Sequence, residues 1–288
     1  MRKLFFFFLI ASLISSCTKT EDVYITGNVP PPDHTIDSSV MNIYVNKAYI
    51  NLLGREPVGS EKPDGVAILR QNNFSDDNRK QFIATLFGKP EYVRNLYNVA
   101  NNEYLRNTDS LEIEQQLFVF YNALSMPQYA AFFPMINFEV ARLDTLKKAL
   151  SNMYAGTMDY RGLLSRMTNN YFYDQINMGS ENFVISTYQN FLFRYPSGSE
   201  LAAGKIMVDG NTSTAFLKVG KSKYDYISIF FYTDDYYEGQ VRFIFKKYLF
   251  REPTSGEIYF YANIYKTSND YQELQKAIFS TSEYAGLH

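Results

Sequence analysis

Few side chains in this 288-residue chain can do chemistry. It has two histidines, His34 in a proline-rich stretch and His288 at the last position. A catalytic triad or a metal site needs an imidazole held in a packed scaffold, so these positions exclude most histidine chemistry. Cys17 is the only thiol, so no disulfide can form within the chain. No glycine-rich phosphate loop or dinucleotide pattern occurs. Carboxylates remain. Two of them flanking a sugar linkage can hydrolyse it, and Glu91, Asp174 and Glu181 are candidates. Against this, soluble chains carry many carboxylates and nearly all are solvated. The expectation is no catalytic residue, no metal and no cofactor, with enzyme activity as the minor alternative.

Three arginines share a more specific spacing. Arg55, Arg194 and Arg251 each stand two residues before a proline (Pro57, Pro196, Pro253) and six before a glutamate (Glu61, Glu200, Glu257). A guanidinium fork matches a carboxylate bidentately and suits half-buried pairing. Two uses of the arginines follow. Each can brace a structural corner by bonding helix-end carbonyls or its own unit's glutamate, or the three can converge on one anion. The corner is the favoured expectation.

The elements that must hold these arginines read as helices. Before Arg55 come Val45, Ala48, Tyr49, Leu52 and Leu53. Before Arg194 come Val184, Thr187, Tyr188, Phe191 and Leu192, and before Arg251 come Val241, Ile244, Phe245, Tyr248 and Leu249. The spacing i, i+3, i+4, i+7, i+8 is one face of an α-helix, and no strand-like alternation is present. Proline then ends the helix and suits the start of the next. Ser197 with Glu200 and Thr254 with Glu257 have capping-box spacing. Val58 and Pro63 predict a later start for the second helix of the first unit. Each unit closes on an acid–tyrosine pair: Glu91-Tyr92, Asp235-Tyr236 and Glu283-Tyr284.

These motifs resemble a family of small helical repeats of unknown function in exported bacterial proteins. Its repeats open on Tyr-x-x-Leu-Leu-Gly-Arg-x-Pro and close on Ser-x-Glu-Tyr. Tyr49 to Pro57 fits the opening best, while Phe193 and Phe250 replace its glycine. The resemblance covers about half of the chain after the leader and implies only an extracytoplasmic location. Similar Arg-x-Pro modules accompany exported cytochromes, but this chain has no Cys-x-x-Cys-His for a c-type haem.

The fold class expected is all-α: a multi-helix bundle of three helix–corner–helix units, about 41–93, 181–237 and 238–285, plus a helical middle insertion. In that middle, Leu111 to Ser125 reads as a helix with Asp109 as cap and Pro127 as its break. Met135 to Ala155 and Arg161 to Ile176 follow as helices, with no clean fourth copy of the motif. Asn211 to Lys223 reads as an irregular connection rather than sheet.

The N-terminus specifies a location. Arg2 and Lys3 precede an apolar run, Leu4 to Leu13, too short for a spanning helix of about 20 residues and suited to an export signal. Ile14-Ser15-Ser16-Cys17 resembles a bacterial lipobox. The resemblance implies a signal peptide over 1–16, and a thioether-linked diacylglyceryl on Cys17 with an added N-acyl chain. More than one chain makes the anchorage stable. Residues 17–39, with Pro30, Pro31 and Pro32, then read as a tether that holds the domain at 40–288 roughly 25 Å from the bilayer. Glu21 and Asp22 look like a surface-export signal, or equally like a solvated tether.

Composition completes the reading. Removing Arg2 and Lys3 leaves 26 basic against 30 acidic residues, a balance of −4, which argues against a nucleic-acid partner. The 25 tyrosines suit broad half-wet helical faces, or a sugar-binding surface. The expected protein is an outer-membrane lipoprotein, lipid-anchored on the periplasmic or cell-surface side. It would act as a non-enzymatic scaffold or adaptor that docks another envelope protein through an aromatic helical face. The alternative is a glycan-binding or glycan-cleaving surface lipoprotein.

Overall fold

Helix ends, more than helix middles, organise this chain. The computed structural model describes residues 36–287. The leader, Cys17, most of the tether, His34 and His288 lie outside the described residues. These residues fall in one compact unit that is all-α, with sixteen helices and a two-stranded sheet among them.

The first unit comprises α1 (Ser38–Leu53), α2 (Glu61–Arg70), α3 (Asp76–Phe87) and α4 (Pro90–Leu105). Of Asp37, Ser38 and Ser39, the three residues whose types suit a cap before the first helix, it is Asp37 that caps α1, accepting from the Ser39 amide. α1 buries Val45, Ala48, Tyr49, Leu52 and Leu53, the face named from the spacing. α2 does start later than its counterparts, at Glu61.

The middle holds α5 (Ser110–Leu124), a 3₁₀ turn (Pro127–Phe132), α6 (Phe133–Lys147), α7 (Ala149–Tyr154), α8 (Tyr160–Thr168) and α9 (Tyr171–Ile176). The helix expected over Arg161 to Ile176 is in fact two. Asn170 explains the break: its amide nitrogen bonds the Arg166 and Met167 carbonyls, and its oxygen accepts from the Phe172 and Tyr173 amides. One side chain thus ends α8 and starts α9. The helix expected over Met135 to Ala155 is likewise interrupted at Lys148.

The second and third units run through α10 (Gly179–Thr187), α11 (Gly198–Val208), β1 (Ser213–Ala215), β2 (Lys218–Gly220), α12 (Lys223–Phe230), α13 (Asp234–Ile244), α14 (Ser255–Ser268), α15 (Tyr271–Phe279) and α16 (Ser282–Ala285). The stretch expected to be irregular contains the hairpin β1–β2, with Ser213 opposite Gly220 and Ala215 opposite Lys218. Its two-residue turn is Phe216-Leu217, both at positive φ. Tight hairpins need that conformation, but their usual signal is Asn-Gly, which this sequence lacks. The boundary drawn at 237/238 falls inside α13, which closes the second unit with Asp235-Tyr236 and opens the third with Val241.

Candidate functional site

The three corners are built alike. In each, a helix ends at a residue in the left-handed region: Gly54 (φ 71°), Phe193 (φ 56°) or Phe250 (φ 57°). The arginine follows. Arg55 Nη1 and Nη2 donate to Glu61 Oε2 and Oε1 at 2.6 and 2.9 Å. Arg194 meets Glu200 at 2.9 and 2.7 Å, and Arg251 meets Glu257 at 2.9 and 2.6 Å. Each arginine also donates to the carbonyl of the next residue. The glutamate's second task is the cap: Glu61, Glu200 and Glu257 accept from the amides of Val58, Ser197 and Thr254. Full capping boxes form at Ser197 and Thr254, as their spacing predicts.

The closing acid of each unit completes the corner, a link that sequence reasoning missed. Glu91 accepts from Arg55 at 2.9 Å, Asp235 from Arg194 at 2.6 Å and Glu283 from Arg251 at 2.5 Å. The acid lies at the second position of α4, α13 or α16, and the tyrosine after it is buried. The signal was available as the repeated acid–tyrosine pair, but nothing in one sequence shows that its acid returns 32 to 41 residues to the arginine. Two carboxylates now face each guanidinium. Hydrogen bonds from the arginine and from the cap amide hold Glu200 and Glu257 down at about 2, well below ordinary glutamate, and push Glu61 lower still. The arginines are neutralised where they stand and line none of the cavities described below. They form three separate braces and no converging anion site.

A related join links α4 to α5, where no clean copy of the motif reads in sequence. α4 ends at Leu105, Arg106 takes φ 54°, and Asp109 with Glu112 forms a capping box at the start of α5. The residue after the left-handed Arg106 is Asn107, and no proline follows before the cap. Asn107 itself takes φ 62°, unlike the three arginines; its side chain donates to Asn102 Oδ1 and its amide to the Asn101 carbonyl, so this join is built differently and has no ionic brace.

A second charged cluster joins α6, α9 and α12. Buried Arg142 donates to Glu139 at 2.5 Å, Asp174 at 2.8 Å and Asn169 at 3.3 Å. Lys223 pairs with the other oxygen of Asp174 and lies 3.9 Å from the centre of the Phe183 ring. Burial pulls the Lys223 ammonium below its usual range, partly offset by Asp174. Among the candidate carboxylates, Asp174 is therefore bound by two cations, Glu91 by Arg55 and Glu181 by Lys205 at 2.5 Å. These three carboxylates stand on α4, α9 and α10, each already ion-paired.

The exposed aromatics are more distinctive. α14 presents Tyr259 and Phe260 to solvent, with a groove on either side. Between α13 and α14 the groove has Tyr237 and Ala262 as its floor and Asp234, Glu238 and Lys266 at its edge. Between α14, α15 and α3 a cavity of 480 Å³ has Tyr261, Ile264 and Ala277 as floor and Asp76, Lys80, Glu273 and Lys276 at its edge. The edge charges are ion pairs: Lys266 with Asp234 at 2.6 Å, Lys276 with Glu273 at 2.6 Å, and Lys80 with Asp76. Among the described residues no group of three or more His, Cys, Asp or Glu is arranged to hold a metal. No family model matches the chain, and no curated protein or solved structure is significantly similar to it.

Proposed function

We propose that this chain is a membrane-anchored envelope lipoprotein that works as a non-enzymatic scaffold or adaptor. The lipobox-like Ile14 to Cys17 supports the anchor, and the repeat signature supports export. The observation that carries the adaptor reading is the α14 face. Exposed aromatics over apolar floors, rimmed by charge pairs, have the anatomy of a protein-docking surface. Tyrosine and phenylalanine supply large rigid contact area, and the rim supplies register. The glycan reading draws less support, because the candidate carboxylates are each bound by a cation.

Extraction in mild detergent, followed by affinity purification, tests this. The parent chain is expected to bring a protein partner in stoichiometric amount. The variant carrying both Tyr259→Ala and Phe260→Ala is expected to lose it while keeping its melting temperature. A parent chain that is always recovered alone overturns the adaptor reading. A bare Cys17 thiol by mass spectrometry overturns the anchor separately.

A further inference from the structure

The α5–α6 hairpin carries a second apolar surface of different chemistry. From Gln115 to Phe138 the chain has no Asp, Glu, Lys, Arg or His. Burial fades along this hairpin. At its base Ile113, Leu117, Ile136 and Val140 are buried, but between residues 118 and 135 no side chain is. Phe118, Val119, Met126, Phe132, Met135 and Phe138 stand in solvent, and every residue from 125 to 132 is exposed.

Two properties separate this tip from the α14 face. First, it has no charged rim. The nearest ion pairs, Glu114–Lys147 at 2.9 Å and Glu139–Arg142 at 2.5 Å, sit at the base. Second, its exposed apolar side chains lie on more than one side, with Asn122, Ser125 and Gln128 the exposed polar residues among them and Phe120, Ala123 and Leu124 packed on the core. A protein groove covers one stripe of a helix, whereas a fluid apolar phase covers every side. Tyr121 and Tyr129 are amphipathic rings of the kind that settle at a membrane–water boundary. No described helix is long and apolar enough to cross a membrane, and the apolar run here is split between two helices by a turn. A split run of this length fits interfacial insertion.

We propose that the tip of the α5–α6 hairpin enters the apolar layer of a lipid bilayer, to a depth of roughly 5–10 Å. The base charges stay in the headgroup zone. With no charge in the tip, insertion needs no anionic lipid and resists salt. This contact is distinct from an acyl chain on Cys17 and from the α14 docking face, so it stands or falls without them.

The full-length chain, purified from membranes and reconstituted into phosphatidylcholine vesicles, provides the test. A cysteine introduced by Phe132→Cys carries an environment-sensitive fluorophore, and Ile206→Cys, at an exposed position of α11, serves as the reference. The parent chain labelled in parallel is the blank for Cys17. The expected result is blue-shifted emission at position 132, quenched by nitroxide lipids, sheltered from aqueous iodide and unchanged by salt. Position 206 should emit as in water. Emission at 132 that is as water-like and iodide-accessible as at 206 overturns the proposal. So does shelter from iodide without quenching by nitroxide lipids, which assigns the tip to protein, a second copy included. Because Phe132 is exposed, its replacement should leave the melting temperature unchanged, so loss of signal cannot be ascribed to unfolding.

Discussion

Arg55, Arg194 and Arg251 each hold two carboxylates from different helices, and their worth depends on solvent. Exposed ion pairs contribute little, whereas bidentate, half-buried ones contribute more. The arginine is 30% exposed at the first corner, 35% at the third and 39% at the second. Lys89 reinforces only the first, at 2.8 Å from Glu61. Substitution by methionine should therefore destabilise by about 1–2 kcal/mol at Arg55, less at Arg251 and least at Arg194. Chemical denaturation checks the order. The pH dependence follows from the depressed glutamates. Ordinary glutamate titrates at about 4.3 in an unfolded chain. Glu257 in the fold titrates at about 2, so the unfolded chain takes up its proton first as pH falls. The corner's contribution is complete above about pH 4.3 and is lost as pH falls towards 2. The melting-temperature gap between the parent and Arg251→Met should be constant near neutrality and close through that window. A gap that stays open to pH 2 contradicts the assignment.

At the scale of elements, the corners show how one backbone shape tolerates different residues. At the three corners the helix ends in the left-handed region on glycine, phenylalanine and phenylalanine. Only Gly54 fits the usual preference for glycine there. A Cβ at that position would lie 2.7 Å from Asn95 Oδ1, and Asn95 in turn bonds the Asn51 carbonyl in the last turn of α1. The second and third opening helices differ from the first in finishing through π-helical turns, Tyr188–Leu192 and Phe245–Leu249. An apolar spacing of three and four cannot reveal that extra residue per turn. The first of these turns explains Gly239 on α13, where a Cβ would lie 1.8 Å from the Phe191 carbonyl oxygen. Gly239→Ala should destabilise by about 1–3 kcal/mol, since backbone has to move. Gly256→Ala, with nothing within 4 Å of its Cβ, should be neutral or slightly stabilising. Equal effects of the two in thermal denaturation contradict the close crossing.

At the scale of the molecule, the last unit packs back on the first. Buried Arg79 on α3 donates at 2.5 Å to the Ser280 carbonyl and at 2.5 Å to that of Phe74. Tyr44 on α1 donates to the Phe279 carbonyl at 3.0 Å, and Asn51 donates to the Tyr284 hydroxyl at 2.9 Å. Asn190 makes the same bond to Tyr173 four residues before Arg194, so two opening helices each receive a buried tyrosine. Tyr44 and Tyr284 meet edge to face, with ring centres 5.8 Å apart. The Arg79–Ser280, Tyr44–Phe279 and Asn51–Tyr284 bonds join segments more than 200 residues apart, which couples the two ends of the fold. Arg79→Met should leave two buried carbonyls without a partner and cost about 2–3 kcal/mol. Hydrogen exchange should then speed up at α1 and α15–α16 together; loss of protection at α3 alone contradicts the clasp.

The sequence by itself determined the helical class, the three arginine–proline corners, the caps at Asp37, Asp109, Ser197 and Thr254, and the pairing of each arginine with the glutamate six residues on. All of these are local. Helical periodicity, proline's missing donor and a reach of six residues are fixed by covalent geometry, so they are legible in one chain. Only the tertiary structure decided which acid completes each corner, and that Asp174, Arg142 and Lys223 meet. It alone also separated the charge-rimmed aromatics of α14 from the uncharged tip of α5–α6. Those facts depend on which helices pack side by side, and contacts between distant segments leave no spacing in the sequence to read.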